Sequence, residues 1–365
     1  MVIDRYLTRR DKLRRAVKKI GAQSLLVTNF SNVTYLTGFT GDDSYLLVGA
    51  DKDVVLSDFR YETQLGGECE GIGFEIRQAG VSMSDFIVAV VGSMKIGQLA
   101  IEADSMTVAK HDFLREKLSR VEFVPTSGLV EQLRWIKDKS EIDRIRRAVS
   151  QAEKSFGVLR ATLLPEKTEK QVADDLEHQM RLFGARERAF QSVVAVSVRA
   201  AMPHAIPGEQ QIGSGDFVLV DWGADEGLYK SDLTRVLVTG RISPKLERIY
   251  GVVLNAQLKA IESIGPGVVA CDVDRVARDL ISDAGFDKYF GHSLGHGFGL
   301  EVHEGPRLAA GSRTVLKPGM VVTVEPGIYL PGWGGIRIED DVLVTRDGHE
   351  VLSSVPKQLE DVIVR

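Results

Sequence analysis

Only two cysteines, Cys69 and Cys271, occur in 365 residues, far apart and without metal-type spacing. That scarcity argues against a disulfide framework, neither thiol sits where a nucleophile would, and a reducing cytoplasm is the expected compartment. No apolar run is long enough to span a bilayer and no signal-peptide core follows Met1, so no membrane role is expected. Excess positive charge is missing too. The chain has 46 Lys and Arg against 51 Asp and Glu, a formal charge of −5, which argues against a nucleic-acid partner. One basic stretch, RRDKLRRAVKK at 9–19, has Leu7, Leu13, Val17 and Ile20 at helical spacing. It reads as a first helix with a solvated basic face. Low-complexity tracts and clear repeats are lacking.

What remains is an ordinary globular composition, 44% hydrophobic and 27% charged, in a chain long enough for two domains. Residues 1–130 read as an α/β domain. β-like runs at 24–29, 44–50, 53–58, 74–78, 95–103 and 121–126 alternate with helical patterns near 83–92 and 106–118. Asp58, Arg60 and Tyr61 are its only candidates for a cleft. The boundary falls between about 128 and 139, and residues 131–365 form the second domain. There Ser140 and Asp143 suggest a capping box, as do Thr168 and Gln171. Ser243-Pro244 opens a helix running to about Ile264, and Asp272 one ending near Gly285. Long helices combined with acid-bearing strands favour an α+β fold.

Carboxylates set among Val, Ile and Leu distinguish this second domain. Asp221 lies in FVLVDWG and Asp232 in SDLTRVLV, separated by Asp225-Glu226-Gly227-Leu228. If those four residues turn, Asp221 faces Asp232 directly, and like charges across a ladder call for a cation. A solvent-facing pair on an exposed edge is the alternative. Glu325 ends MVVTVEP, while Glu339 lies in GIRIEDDVLV two residues after Arg337. That spacing puts Arg337 and Glu339 on one strand face, either as an orienting pair or as a surface ion pair. Asp340 and Asp341 are more ambiguous: one points the other way, and both can be read as ordinary strand-end acids. Four carboxylates and one imidazole suit two divalent metals.

Three of the seven histidines, His292, His296 and His303, crowd into GHSLGHGFGLEVHEGP, and His204 lies in AAMPHAIP. The zincin pattern HExxH is absent, since His303-Glu304 has no second histidine four residues on.

DWGA…SDLTR, GHSLGHGFGLEVHE, EPGIY and GGIRIEDD resemble the pita-bread metallopeptidase family that includes aminopeptidase P and prolidase. NVTYLTGFTGDDSYLLV and DFRYETQ resemble its creatinase-like leading domain. The resemblance implies an α/β domain of creatinase/prolidase N-terminal type followed by an α+β pita-bread catalytic domain. By it, Asp221, Asp232, His296, Glu325 and Glu339 would hold two divalent metals, Mn²⁺ first and Co²⁺ or Zn²⁺ next. His204, His303 and Glu325 would be catalytic, His303 meeting the oxyanion and Glu325 moving the water's proton. His292 and Arg337 would support the substrate, and Arg307 is a candidate for a free carboxylate. Val196-Ser197, Glu226, Leu228 and Val236 depart from the family's usual residues. These departures bear on substrate fit rather than on metal binding.

The implied substrates are peptides with proline at the second position, cut by a Xaa-Pro aminopeptidase that the resemblance makes a homodimer. A Xaa-Pro dipeptidase is the alternative. A methionine aminopeptidase shares the five ligands but usually lacks the leading domain. A catalytically dead binding relative, or a creatinase-like metal-free hydrolase, would have lost ligands that are present here.

Overall fold

In a computed structural model describing residues 5–364, the chain divides into two compact units, Met1–Arg134 and Trp135–Arg365. The first is built on a six-stranded sheet in the order Gly73–Arg77, Asp53–Asp58, Tyr45–Val48, Ser24–Val27, Gln98–Glu102, Glu122–Thr126. The Tyr45–Val48 strand is antiparallel to both neighbours and the remaining pairings are parallel, giving the mixed sheet expected. Helices Met83–Ser93 and Val108–Lys117 start at Ser82 and Thr107, whose hydroxyls accept from the N–H three residues on. Ile87, Val91 and Leu114 pack with the sheet residues Leu26, Leu47 and Leu99.

One further helix and one departure from expectation complete this unit. FSNVTYLT, with three β-branched residues, is a helix, Phe30–Thr37, because Asn29 caps Asn32 N–H and Gly38 closes it at φ 83°. The first helix, Arg5–Lys19, is less solvated than its charges suggest. Arg9 and Arg10 are buried and donate to the Tyr35 and Leu36 carbonyls, each at 2.9 Å. Asp58 is also buried. Its carboxylate receives Arg60 and Arg77 and is held at about 2, Arg60 hydrogen bonding being the main cause.

The second unit opens with helix Lys139–Thr162, whose capping box is Asp138 with Glu141 rather than Ser140 with Asp143. Asp138 is the residue with extended backbone, and the Ser140 hydroxyl donates to it. Helix Glu169–Leu182 starts at the Thr168–Gln171 box as expected. Pro244–Glu262 starts at Ser243 with proline in the first turn. Ala270–Asp283 starts two residues before Asp272. Against these helices lie a three-stranded antiparallel sheet (Val193–Val196, Phe217–Trp222, Leu233–Val238) and a five-stranded one carrying Gly295–Gly297, Val321–Val324 and Asp340–Val344. Trp222 anchors the core, stacked 4.2 Å from Phe156 with its indole N–H on Ala152 O at 2.9 Å.

Candidate metal centre

Asp221 lies near the end of Phe217–Trp222, flanked on both sides, opposite Val193 and Thr234. It therefore does not face Asp232. The turn is tighter than the four residues expected: Glu226 pairs with Tyr229, leaving Gly227 and Leu228 at φ 55° and 76°. Leu228 tolerates that backbone because its N–H is held by Asp225 Oδ1 at 2.7 Å. The register moves by two residues, which keeps both side chains on one face. Asp221, Asp232 and Glu339 each offer an oxygen within 4.8 Å of the others.

GIRIEDDVLV is likewise two strands in different sheets, Gly334–Arg337 and Asp340–Val344, broken at Ile338 and Glu339. Thr234 reunites their functional ends. Its hydroxyl donates to Glu339 Oε2 at 2.6 Å and accepts from Arg337 Nε at 3.0 Å, while Glu339 N–H reaches Thr234 O. Arg337 is 3% and Glu339 1% exposed, so they are no surface pair. The guanidinium also reaches Asp221 Oδ2, Tyr329 OH at 2.9 Å and Pro203 O beside His204.

Asp340 and Asp341 separate cleanly. Burial pushes Asp340 up, but Arg235 and Lys357 outweigh it and leave its carboxyl at about 2, with Gln257 and Ser353 completing its partners. Asp341 accepts Asp232 N–H at 3.2 Å, and burial drives it well above the carboxylate range. Neither belongs to the three-residue ligand group.

His296, on Gly295–Gly297, places Nε2 3.2 Å from Glu325 Oε1 and 3.7 Å from Asp232 Oδ2. Its Nδ1 lies 3.1 Å from Gly297 O, the arrangement in which Nδ1 carries the hydrogen and Nε2 presents a lone pair. Thr323 Oγ1 donates to Glu325 Oε1 and accepts His296 N–H, each at 3.1 Å. The histidines line a cavity of about 860 Å³ together with Asp221, Asp232, Glu325, Arg307, Arg337 and Glu339. His204, His303 and Arg307 are exposed on its wall. His303 meets His296 edge-on at 4.4 Å. His292 Nε2 lies 3.0 Å from Tyr329 OH. Tyr329 and Thr234 were not singled out in the sequence. EPGIY puts Tyr329 inside the strand Gly327–Leu330, but nothing in the pattern says which way it faces.

The charge balance of this cavity fits bound cations. Burial raises Asp232 well above the ordinary range, with Glu339 and Asp221 adding repulsion. Glu339 is raised in the same way, by burial and then by Glu325 and Asp221. Asp221 rises through burial despite Arg337. Burial pulls His296 down, but Glu325 overcomes it and the net shift is upward. Glu325 falls, since His296 outweighs its burial. Asp221 Oδ1 and Glu339 Oε1 are buried without a hydrogen-bond partner, each an uncompensated cost of about 1–3 kcal/mol. Lone pairs facing lone pairs with no donor between them is a donor set built for a divalent metal.

The model of the metallopeptidase family M24 matches residues 143–346, and that of the creatinase/prolidase N-terminal domain matches residues 9–136. This chain belongs to metallopeptidase family M24. Among M24 relatives, the Xaa-Pro dipeptidase of Pyrococcus horikoshii is 36% identical, covering 96% of this chain and 99% of its own. A solved Xaa-Pro dipeptidase from Bacillus anthracis superposes with TM-score 0.94 at 40% identity, covering 98% and 99%. An X-Pro aminopeptidase from Thermotoga maritima gives 0.86 at 34%, covering 94% and 99%. The chain is thus an M24 hydrolase, with a creatinase-type leading domain and a pita-bread catalytic domain. Among its described residues no helix is long and apolar enough to cross a membrane.

Proposed function

We propose that this chain is a Xaa-Pro dipeptidase whose cavity holds two divalent ions on Asp221, Asp232, His296, Glu325 and Glu339. The aminopeptidase reading, first from the motifs, becomes second. The observation that carries this order is the identity with a Xaa-Pro dipeptidase along nearly the whole of both chains. The Thermotoga structure keeps the aminopeptidase reading in play. Manganese is the metal we favour, since the donor set is four carboxylates and one imidazole. A homodimer, implied by the resemblance, in a reducing cytoplasm, suggested by the scarcity of cysteine, completes the reading.

Bound there, the ions supply Lewis-acid polarisation and a water of lowered pKa. The remaining work falls to side chains. Glu325, held by the hydrogen bond from Thr323, takes a proton from the attacking water and passes it to the proline nitrogen, which carries no hydrogen in the peptide. His303 donates to the oxyanion, and the partial burial of its ring against the wall, with His296 beside it, lowers its pKa and favours a neutral ring donating one hydrogen. His204, on the same cavity, holds the substrate carbonyl. His292 and Arg337 keep the cavity's polar floor in register through Tyr329. Phe190 and Val302 offer apolar surface to the ring, and Arg307 pairs with the dipeptide's carboxylate.

Comparing kcat/KM for Ala-Pro and for Ala-Pro-Pro-Ala on the manganese-loaded protein tests this. The dipeptide should be preferred. Faster cleavage of the tetrapeptide would move the assignment to aminopeptidase, and cleavage of neither would reject both.

A further inference from the structure

His303 stands on a loop between two strands, Gly295–Gly297 and Glu304–Leu308, and lies on the cavity wall with its ring edge-on to His296. What fixes the loop lies behind it. Glu304 Oε1 accepts Glu301 N–H at 3.0 Å, and Glu301 O accepts Gly299 N–H at 3.0 Å. Glu304 Oε2 meets Lys137 Nζ at 3.2 Å, with side chains 4% and 1% exposed. Lys137 is itself anchored, its N–H on Gly319 O at 2.8 Å. The packing leaves no slack. A Cβ at Gly299 would sit 3.0 Å from Lys137 Cε, and one at Gly305 would sit 2.3 Å from the Trp135 indole.

A desolvated ammonium and carboxylate rarely repay their burial in stability, whereas a buried pair with fixed geometry does hold position. Here the carboxylate belongs to the residue after His303, so the position held is that of the imidazole. The geometry points to Lys137 as a positioning residue: through Glu304 it holds His303 at the reacting carbonyl. This inference rests on the peptidase reading with His303 at the oxyanion.

The test is a double-mutant cycle on the metal-loaded full chain, using any peptide the enzyme turns over, well below the melting temperature of each variant. Lys137→Met should lower kcat about tenfold with KM nearly unchanged. Lys137→Arg, keeping the charge, should recover most of that loss. In a His303→Ala background, Lys137→Met should change kcat by less than about twofold. A purely structural lysine would lower the melting temperature yet leave kcat intact, or give the same loss with and without His303, and either result overturns the inference. Should Lys137→Met fail to fold, Glu304→Gln, of equal size and still an acceptor for Glu301 N–H, carries the same cycle. Failure on Xaa-Pro dipeptides alone would count against the substrate assignment and leave the cycle interpretable on another peptide.

Discussion

Stripped of metal, the catalytic unit should lose stability as pH rises, and restoring metal should reverse the trend. Asp221, Asp232 and Glu339 all titrate above their ordinary range, and so does His296. A group whose folded pKa lies above its unfolded value binds more protons when folded. Its contribution is complete below the unfolded pKa and is lost as pH climbs through the folded one. For the three acids the loss therefore starts near pH 4, and for His296 near pH 6.5. Each group titrating in its window contributes up to about 1.4 kcal/mol per pH unit. Glu325 is shifted the other way, so its contribution is present above its unfolded pKa and fades only in acid. His292 and His303, shifted down, gain stability as pH rises toward 6.5, but Asp341 is raised with the other three acids. The raised groups outnumber the lowered ones, so between pH 5 and 8 the chelated protein should melt progressively lower. Mn²⁺ replaces the protons and gains affinity over the same range. At one hundred times its dissociation constant it adds about 2.7 kcal/mol. For a unit of this size that is a rise of roughly 5–10 °C in melting temperature. Scanning calorimetry of chelated and reloaded protein across these pH values measures both slopes. An apo melting temperature that stays level or climbs from pH 5 to 8, or one that Mn²⁺ leaves unmoved at pH 8, refutes the reasoning.

Three further outcomes are expected. Asp232→Asn removes one of the crowded charges, so at pH 8 the apo variant should melt above the apo parent while failing to load metal by elemental analysis and failing to turn over peptide. Tyr329→Phe deletes the hydroxyl joining Arg337 and His292. It should lower kcat/KM about tenfold, with an unchanged circular dichroism spectrum. Arg235→Met leaves the buried Asp340 without one of its two cations. Urea titration should show a loss of about 3–5 kcal/mol.

Much of this architecture was legible because periodicity and turn chemistry agree over long stretches. The six strands of the leading unit and the Thr168 and Ser243 helix starts are examples. The misreadings share a cause: each turned on a contact made far away in sequence or on an unusual backbone angle. The first helix reads as solvated because nothing in RRDKLRRAVKK shows that Arg9 and Arg10 reach the Tyr35 and Leu36 carbonyls. Leu228 looks unfit for positive φ, so the hairpin was drawn two residues too wide. GIRIEDDVLV reads as one strand because its break at Ile338 carries neither glycine nor proline. Asp221 and Asp232 keep to one face all the same, because a two-residue register change preserves facing. Their charge in an apolar setting marked them regardless of exact pairing. Thr234 and Tyr329 carry no such mark, since a hydroxyl in a strand is unremarkable until its partners are known.

The circuit from Arg337 through Tyr329 to His292 has a direction. Guanidinium hydrogens can only be given, so the phenol oxygen receives from Arg337 and must pass its own hydrogen onward to His292 Nε2. His292 then keeps its remaining hydrogen on Nδ1, aimed at Ser293 O 2.8 Å away. A ring so placed has no vacancy for a second proton, in keeping with the downward shift that burial gives it. Polarity set at one end thus settles the tautomer at the other. Glutamine at 337 with its carbonyl toward Tyr329 would run the wire backwards, leaving Nε2 facing an oxygen that has nothing to give.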